Sequence, residues 1–342
     1  MTMPSALAPA RFVPVREGEE PPETAAPHTA PRLSPAQLDS FGPLARFVAD
    51  DEVTDIFVNG YRDVWVDRGA GASHAGPVGM NEPELRALAV ALISQGGRHI
   101  DEASPCVDVR LGGGIRVHAV LPPISTGGCL LSVRIPRRDQ VSLASLEASG
   151  FFLNVPLARV RALVTARANI LLTGAGGSGK TTLLAALLGA ADVGDRIIAI
   201  EDVAELQVEH PHFVSLEARQ ANLEGAGEVG LTRLLKEALR MRPDRLVLGE
   251  CRGAEVRELL AALNTGHDGG AGTLHANSLS DVPARLEALG ALAGMGPDAV
   301  ARQAVSAIGS VLHLVRDAKG RRLESIGRLV LDGRDRLAVV EE

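Results

Sequence analysis

From residue 38 onward apolar and polar positions alternate with two different periods, and the change between them outlines the elements. Leu38, Phe41, Leu44, Ala45 and Val48 recur at mostly three- and four-residue spacing, which predicts a helix from about Pro35 with Gly42-Pro43 interrupting its start. Val53 to Gly60 and Asp63 to Asp67 then read as two strands around an Asn59-Gly60 turn. Glu82 to Gln95 returns to the helical period through Leu85, Leu88, Ala89, Leu92 and Ile93, and Gly96-Gly97 ends it. Next comes strict alternation. Val107, Val109 and Leu111 are separated by Asp108 and Arg110; after Gly112-Gly113-Gly114, Ile115, Val117 and Ala119 are separated by Arg116 and His118. Successive strand side chains point to opposite faces, so this hairpin has one apolar face and one bearing Asp108, Arg110, Arg116 and His118. Leu131 to Ile135 repeats the arrangement with Arg134 beside Ser132. From pattern alone the three arginines read as a solvated face with an Asp108 salt bridge.

The second half has a different texture. Leu143 to Ser149 and Pro156 to Arg167 read as helices, and short wholly apolar runs then alternate with amphipathic ones. Ile170 to Leu172, Arg196 to Ile200 and Arg245 to Leu248 have the form of strands buried on both faces. Leu231, Leu234, Leu235, Ala238 and Leu239 give the intervening helix an apolar side before Pro243. This predicts an α/β class protein with a mainly parallel sheet covered by helices. We expect a Pro/Ala-rich disordered tail over residues 1–35, an N-terminal α/β domain with an antiparallel sheet over 36–135, a linker over 136–150 and a second domain over 151–342.

Composition narrows the chemistry. A net charge of -7 and a pI near 5.8 argue against nucleic acid as the main partner. Cys106, Cys129 and Cys251 form no C-x-x-C pair and are odd in number, so neither a disulfide framework nor a zinc knuckle is indicated, and a reducing cytoplasm is the expected home. No stretch has the form of a signal peptide or membrane span, so membrane contact is expected to be peripheral or through a partner.

Asn169 to Leu184, NILLTGAGGSGKTTLL, states a phosphate-binding device in strand, glycine loop, helix order. Gly174, Ala175, Gly176, Gly177, Ser178, Gly179, Lys180 and Thr181 fit G-x-x-x-x-G-K-[ST], and Thr182 continues into a helix. The glycines let backbone N–H groups turn inward around phosphate oxygens at the positive end of that helix. Lys180 would reach the β- and γ-phosphates of ATP while Thr181 holds Mg²⁺. Lysine stands only at Lys180, Lys236 and Lys319, so its retention here singles it out.

Acids follow at strand ends, where ligands bind in open α/β sheets. Glu201, Asp202 and Glu205 should emerge beside the phosphate loop, one of them placed to orient an attacking water. Glu250 ends the next strand and would help hold the Mg²⁺ shell, directly or through water, or polarise the nucleophile. His267 and His275 lie on a glycine-rich loop and a short strand; their spacing fits no zinc pattern, and a γ-phosphate sensor suits the setting better.

These stretches in order resemble the type II/IV secretion system ATPase superfamily. TGAGGSGKTT is similar to its Walker A box, IEDVAEL to its aspartate box, RPDRLVLGECRG to its Walker B box and TGHDGGAGTLHANS to its histidine box. VTDIFVNG, GRHIDEASPCVDVRLGGGIRVHAVLPP and LLSVRIP resemble the N-terminal domain of the CpaF-like, tight-adherence branch, and the tetracysteine zinc element of the type II secretion and pilus-extension motors is missing. The resemblance covers about residues 38 to 316. It implies a RecA-like P-loop NTPase domain, a homohexameric ring, ATP and Mg²⁺ as cofactors, and a cytoplasmic motor peripheral at the inner face of the cell membrane, working an inner-membrane platform protein. It further implies Glu205 as catalytic glutamate, Glu250 as Walker B acid, His275 as histidine-box residue, and phosphate contacts from among Arg110, Arg116 and Arg134. A soluble P-loop kinase or ABC-type ATPase fits less well, since no LSGGQ-like signature is present. A nucleotide-switched scaffold without turnover is the reading from a different class.

Overall fold

The computed structural model describes residues 33–136, 141–219 and 227–342. Most of the expected tail and residues 137–140 of the expected linker lie outside these residues. The described strands form two sheets. The first contains β1 (Asp55–Asn59), β2 (Val64–Asp67), β3 (Ala72–Gly76), β4 (Cys106–Arg110), β5 (Arg116–Val120) and β6 (Leu130–Arg134), in the order β3-β2-β1-β6-β5-β4, every pair antiparallel. The helix Glu82–Gln95, capped by Asn81 and Glu84 in a reciprocal box, covers its apolar face with Leu85, Ala89, Leu92 and Ile93. That face supplies Ile56, Val58, Val64, Val66, Val117, Leu131 and Val133. The period-2 pattern therefore sets which side chains face outward: Arg110 pairs with Arg116, and Arg116 with Arg134, on the uncovered side. The expected N-terminal helix is broken into Pro35–Asp39, a tight turn at Gly42–Leu44, and Ala45–Val48. Gly42 adopts φ 54, outside the helical region, and Pro43 lacks the N–H that would continue the ladder.

The second sheet contains β7 (Ile170–Gly174), β8 (Ile197–Glu201), β9 (Phe213–Glu217), β10 (Arg245–Cys251), β11 (Ala271–His275), β12 (Ser310–Asp317), β13 (Gly320–Leu331) and β14 (Leu337–Glu341), in the order β14-β13-β12-β7-β11-β10-β8-β9. From β12 to β9 all neighbours are parallel; β13 and β14 add antiparallel strands at one side. All residues of β7 and β8 are buried, and alternate side chains enter two cores. Leu171, Ile198, Ile200, Leu246, Leu248 and Leu274 pack under the helices Leu231–Leu239, Val256–Leu263, Val282–Leu292 and Pro297–Ala307. Ile170, Leu172, Ile197, Ala199, Val247, Leu312 and Leu314 pack under Leu157–Thr165 and Lys180–Gly189. Each such leucine contributes about 2 kcal/mol by leaving water. Residues 136–150, expected as linker, carry the helix Leu143–Ala148, whose Leu143 and Leu146 belong to this second core.

At the amino ends of the parallel strands a charge cluster fastens the sheet. Asp195 accepts from Arg245 Nε at 2.6 Å and from Arg167 Nη1, while Arg245 also donates to the Val164 carbonyl and Arg167 to the Asp244 carbonyl. Burial alone would raise the Asp195 carboxyl; the hydrogen bonds and charges of Arg245 and Arg167 hold it below the usual carboxylate range.

Candidate functional site

The opposite edge, where β7, β8, β10 and β11 end together, gathers the residues singled out by sequence. Leaving β7, the chain turns at Gly174 with φ 148; a Cβ there would stand 2.4 Å from the Leu314 carbonyl oxygen and 2.6 Å from Ser178 Oγ, so a side chain has no room. Ala175, Gly176 and Gly177 form an exposed crest, and the helix Lys180–Gly189 begins at once. Lys180 is buried and its Nζ donates to the Gly174 and Ala175 carbonyls, both at 2.9 Å. Burial holds this amine below its ordinary value, opposed by the charge of Glu250 and reinforced by Arg252. Ser178 Oγ is buried without a hydrogen-bond partner among the described residues. Thr181 and Thr182 stay half-buried on the first turn.

The acids at the end of β8 divide into two kinds. Glu201 is 4% exposed, and its Oε1 accepts from the backbone N–H of Glu205 at 3.0 Å and of Leu206 at 3.1 Å. Gly249 makes the space, since a Cβ at that position would lie 2.6 Å from Glu201 Cγ. Burial pushes the Glu201 carboxyl up to about 7, although the two N–H donors pull the other way. Glu201 therefore departs from the expectation that all three acids emerge: it borders the cleft but fastens the turn that carries Glu205. Asp202 and Glu205 do emerge, Asp202 with its carboxyl raised by burial and Glu205 with its side chain 43% exposed.

Glu250, near the end of β10, lies between Arg252 and His275. Arg252 Nη2 bonds Glu250 Oε2, and His275 Nε2 lies 2.5 Å from Oε1, without the alignment of a hydrogen bond. Burial and the charge of Lys180 hold the His275 imidazole below its ordinary value against the pull of Glu250. His275 pairs with Gly174 across the β11–β7 ladder, beside the phosphate loop. His267 is elsewhere, and its expected nucleotide role is corrected by the topology. It precedes the other end of β11, and a rise of about 3.3 Å per residue puts roughly 13 Å of strand between the two ends. There its Nδ1 lies 3.2 Å from the Ala262 carbonyl.

Above this edge lies the arginine face of the first sheet. Arg116 is held by Asp108 through Nε at 2.8 and 2.9 Å, with Nη1 3.9 Å from Glu205 Oε1. Arg134 donates Nε to Asp55 at 3.2 Å and brings Nη1 to 4.0 Å from the same Glu205 oxygen. Arg110 bridges to Glu217 on the edge strand β9 at 2.7 Å. Arg116, Thr181, Asp202, Glu205, Glu250 and Arg252 line one cleft. Sequence reasoning gave no role to Arg252 or Glu217. Arg252 lies inside the RPDRLVLGECRG box, two residues after Glu250, whereas Glu217 is 107 residues from its partner and had no local signal.

A glycine loop joining a parallel strand to a helix, with acids at the neighbouring strand ends, defines a P-loop nucleotide-binding site. Comparison with known proteins gives the particular family. The family model described as "Type II/IV secretion system protein" matches residues 37–329, and the chain belongs to that family, as a secretion or pilus motor ATPase. Among relatives, a Mycobacterium tuberculosis protein with a conjugal-transfer name is 48% identical over 297 residues, covering 85% of this chain and 84% of that one. Conjugal transfer protein TrbB of Rhizobium radiobacter is 32% identical over 304 residues, covering 86% and 90%. The type IV secretion system protein VirB11 of Bartonella henselae is 30% identical over 275 residues, covering 70% and 77%. Among solved structures, the pilus retraction motor PilT with bound ADP aligns with TM-score 0.56 at 20% identity over 89% of this chain and 81% of that one, and the DotB ATPase of Legionella pneumophila with 0.55 at 18% over 92% and 82%. These two share the fold.

Proposed function

We propose that the chain is a Mg²⁺-dependent ATPase that couples hydrolysis at the cleft between its two sheets to pilus assembly or secretion. The observation that carries this reading is the cleft itself, which brings Thr181, Glu205, Glu250 and Arg116 together beside Lys180. The donor set suits a phosphate chain: Ser178 Oγ has no partner among the described residues, and the Lys180 amine rests on carbonyls of the loop it would leave for phosphate. Thr181 and Glu250 would hold Mg²⁺, which when bound neutralises the β- and γ-phosphate oxygens. Lys180 places its charge on the same oxygens. Glu205, exposed and next to two guanidinium groups, is the acid positioned to orient and deprotonate water. His275, neutral and against Glu250, reports the γ-phosphate position to β11. Of the three arginines, Arg116 lines the cleft and is the first choice for phosphate contact.

We further propose the division into an N-terminal domain to about residue 135 and an ATPase domain, a homohexameric ring, and an inner-membrane platform protein as the partner moved. Among the described residues no helix is long and apolar enough to cross a membrane, so the chain would act on that partner from the cytoplasmic face. Purified protein with Mg-ATP should release phosphate, and Lys180→Ala and Glu205→Gln should each abolish turnover while the circular dichroism spectrum is kept. Turnover that survives both substitutions refutes the reading; ATP-dependent ring formation with no turnover in the wild type favours a switching scaffold.

A further inference from the structure

His313 is a buried imidazole that the nucleotide reading leaves unused. It lies on β12, 4% exposed, directly opposite Thr173 on β7. Its Nδ1 is 2.9 Å from Thr173 Oγ1. The backbone of Asn277 also hydrogen-bonds the ring, in the sense that favours the protonated imidazole and so as an acceptor. With Nδ1 engaged by Thr173, Nε2–H is the donor to Asn277; this fixes the tautomer and makes the Thr173 hydroxyl the donor to Nδ1. Burial first, with the nearby charge of Lys180, holds the ring below its ordinary value despite Glu324 and Asp281. It is neutral at neutral pH, as this pairing requires.

The two partners give the residue its interest. Thr173 is fully buried and is the last residue before Gly174, where the phosphate loop begins. Asn277 is two residues beyond His275, past the last rung of the β7–β11 ladder. The imidazole therefore joins the base of the phosphate loop to the segment that leaves His275, where the backbone ladder between them has ended. The same strand touches the loop again at its crest, since a Cβ on Gly177 would lie 3.2 Å from Arg316 Nη1.

We propose that His313 is a positioning residue that couples movement of the segment after His275 to the phosphate loop, through Thr173. The proposal rests on the nucleotide reading of this edge.

The links can be cut one at a time in the full-length chain. His313→Asn keeps an acceptor near the Nδ1 position, His313→Gln keeps a donor near Nε2, and Thr173→Val removes the hydroxyl at constant shape. Each should lower kcat about tenfold, the scale of one hydrogen bond, with KM within about twofold of wild type. Thr173→Val combined with His313→Asn should cost no more than the larger single effect. A second readout needs no nucleotide. His275→Ala should speed amide exchange in residues 174–181 of the wild-type background and leave it unchanged in the His313→Asn background. The coupling is overturned if the variants lose thermal stability but keep wild-type kcat when folded, or if His275→Ala perturbs residues 174–181 equally in both backgrounds. Lys180→Ala separates the two levels: if it retains turnover the nucleotide reading fails, whereas loss of turnover there with silent His313 and Thr173 variants removes only the coupling.

Discussion

Replacing Glu201 by glutamine should stabilise the protein more at alkaline than at acid pH. The carboxyl ionises near 7 in the folded chain against 4.5 for the free group, chiefly because it is buried. A folded-state value above the unfolded one means the fold is favoured below 4.5 and loses that advantage as pH rises through 7. When both states are ionised the cost to the fold is about 3 kcal/mol, at about 1.4 kcal/mol per pH unit between the two values. Glutamine keeps a carbonyl oxygen for the Glu205 and Leu206 N–H groups and carries no charge at any pH. Its amide hydrogens bring a separate desolvation cost of about 1–3 kcal/mol, which is the same at both ends of the range. The diagnostic quantity is therefore the change with pH. Between about pH 5 and pH 8 the variant should gain about 2–3 kcal/mol on the wild type, read from urea midpoints followed by far-ultraviolet circular dichroism. A difference that is constant with pH refutes the reasoning, because it would mean that the two N–H donors already hold an ordinary carboxylate.

Two further substitutions probe the ends of the sheet. Asp195→Ala leaves the buried Arg245 guanidinium without its carboxylate and should cost about 3–5 kcal/mol by urea unfolding; Arg245→Met in the same chain should recover most of the loss, and failure to do so would show that the aspartate acts through Arg167. Arg110→Ala removes a bridge to Glu217 in which both side chains are about one-third exposed, so stability should change by less than about 1 kcal/mol and the effect should vanish in about 1 M salt. A larger, salt-independent loss would mean that this contact is desolvated.

What the sequence conveyed follows from the range of the forces involved. Alternation over residues 107–119 set the face of Arg110 and Arg116 because the pleat reverses at every residue, and the phosphate loop was complete in one contiguous stretch. β3 was missed because its side chains are mostly exposed and carry no apolar period, so only pairing with β2 makes it a strand. β9 lies at the sheet edge with its residues half-buried or exposed, and β12 to β14 lie beyond the boxes that drew attention. Glu201 was grouped with Asp202 and Glu205 by adjacency. Its inward turn depends on Gly249, which is remote in sequence and adjacent only once β8 and β10 pair. His267 was linked to His275 by nearness in a glycine-rich stretch, while a strand is a device for carrying neighbours apart.

The cluster of Asp195, Arg245 and Arg167 sits at the edge of the sheet farthest from the nucleotide cleft. A fan riveted at one end opens most at the other. With the strands pinned at their amino ends, a small rotation between neighbours leaves the rivet still and sweeps the far tips, where Glu205, Glu250 and His275 stand. Were the strands to rotate in this way, the rivet would set both the pivot and the gain, and loosening it would turn the same rotation into slack at the wrong end.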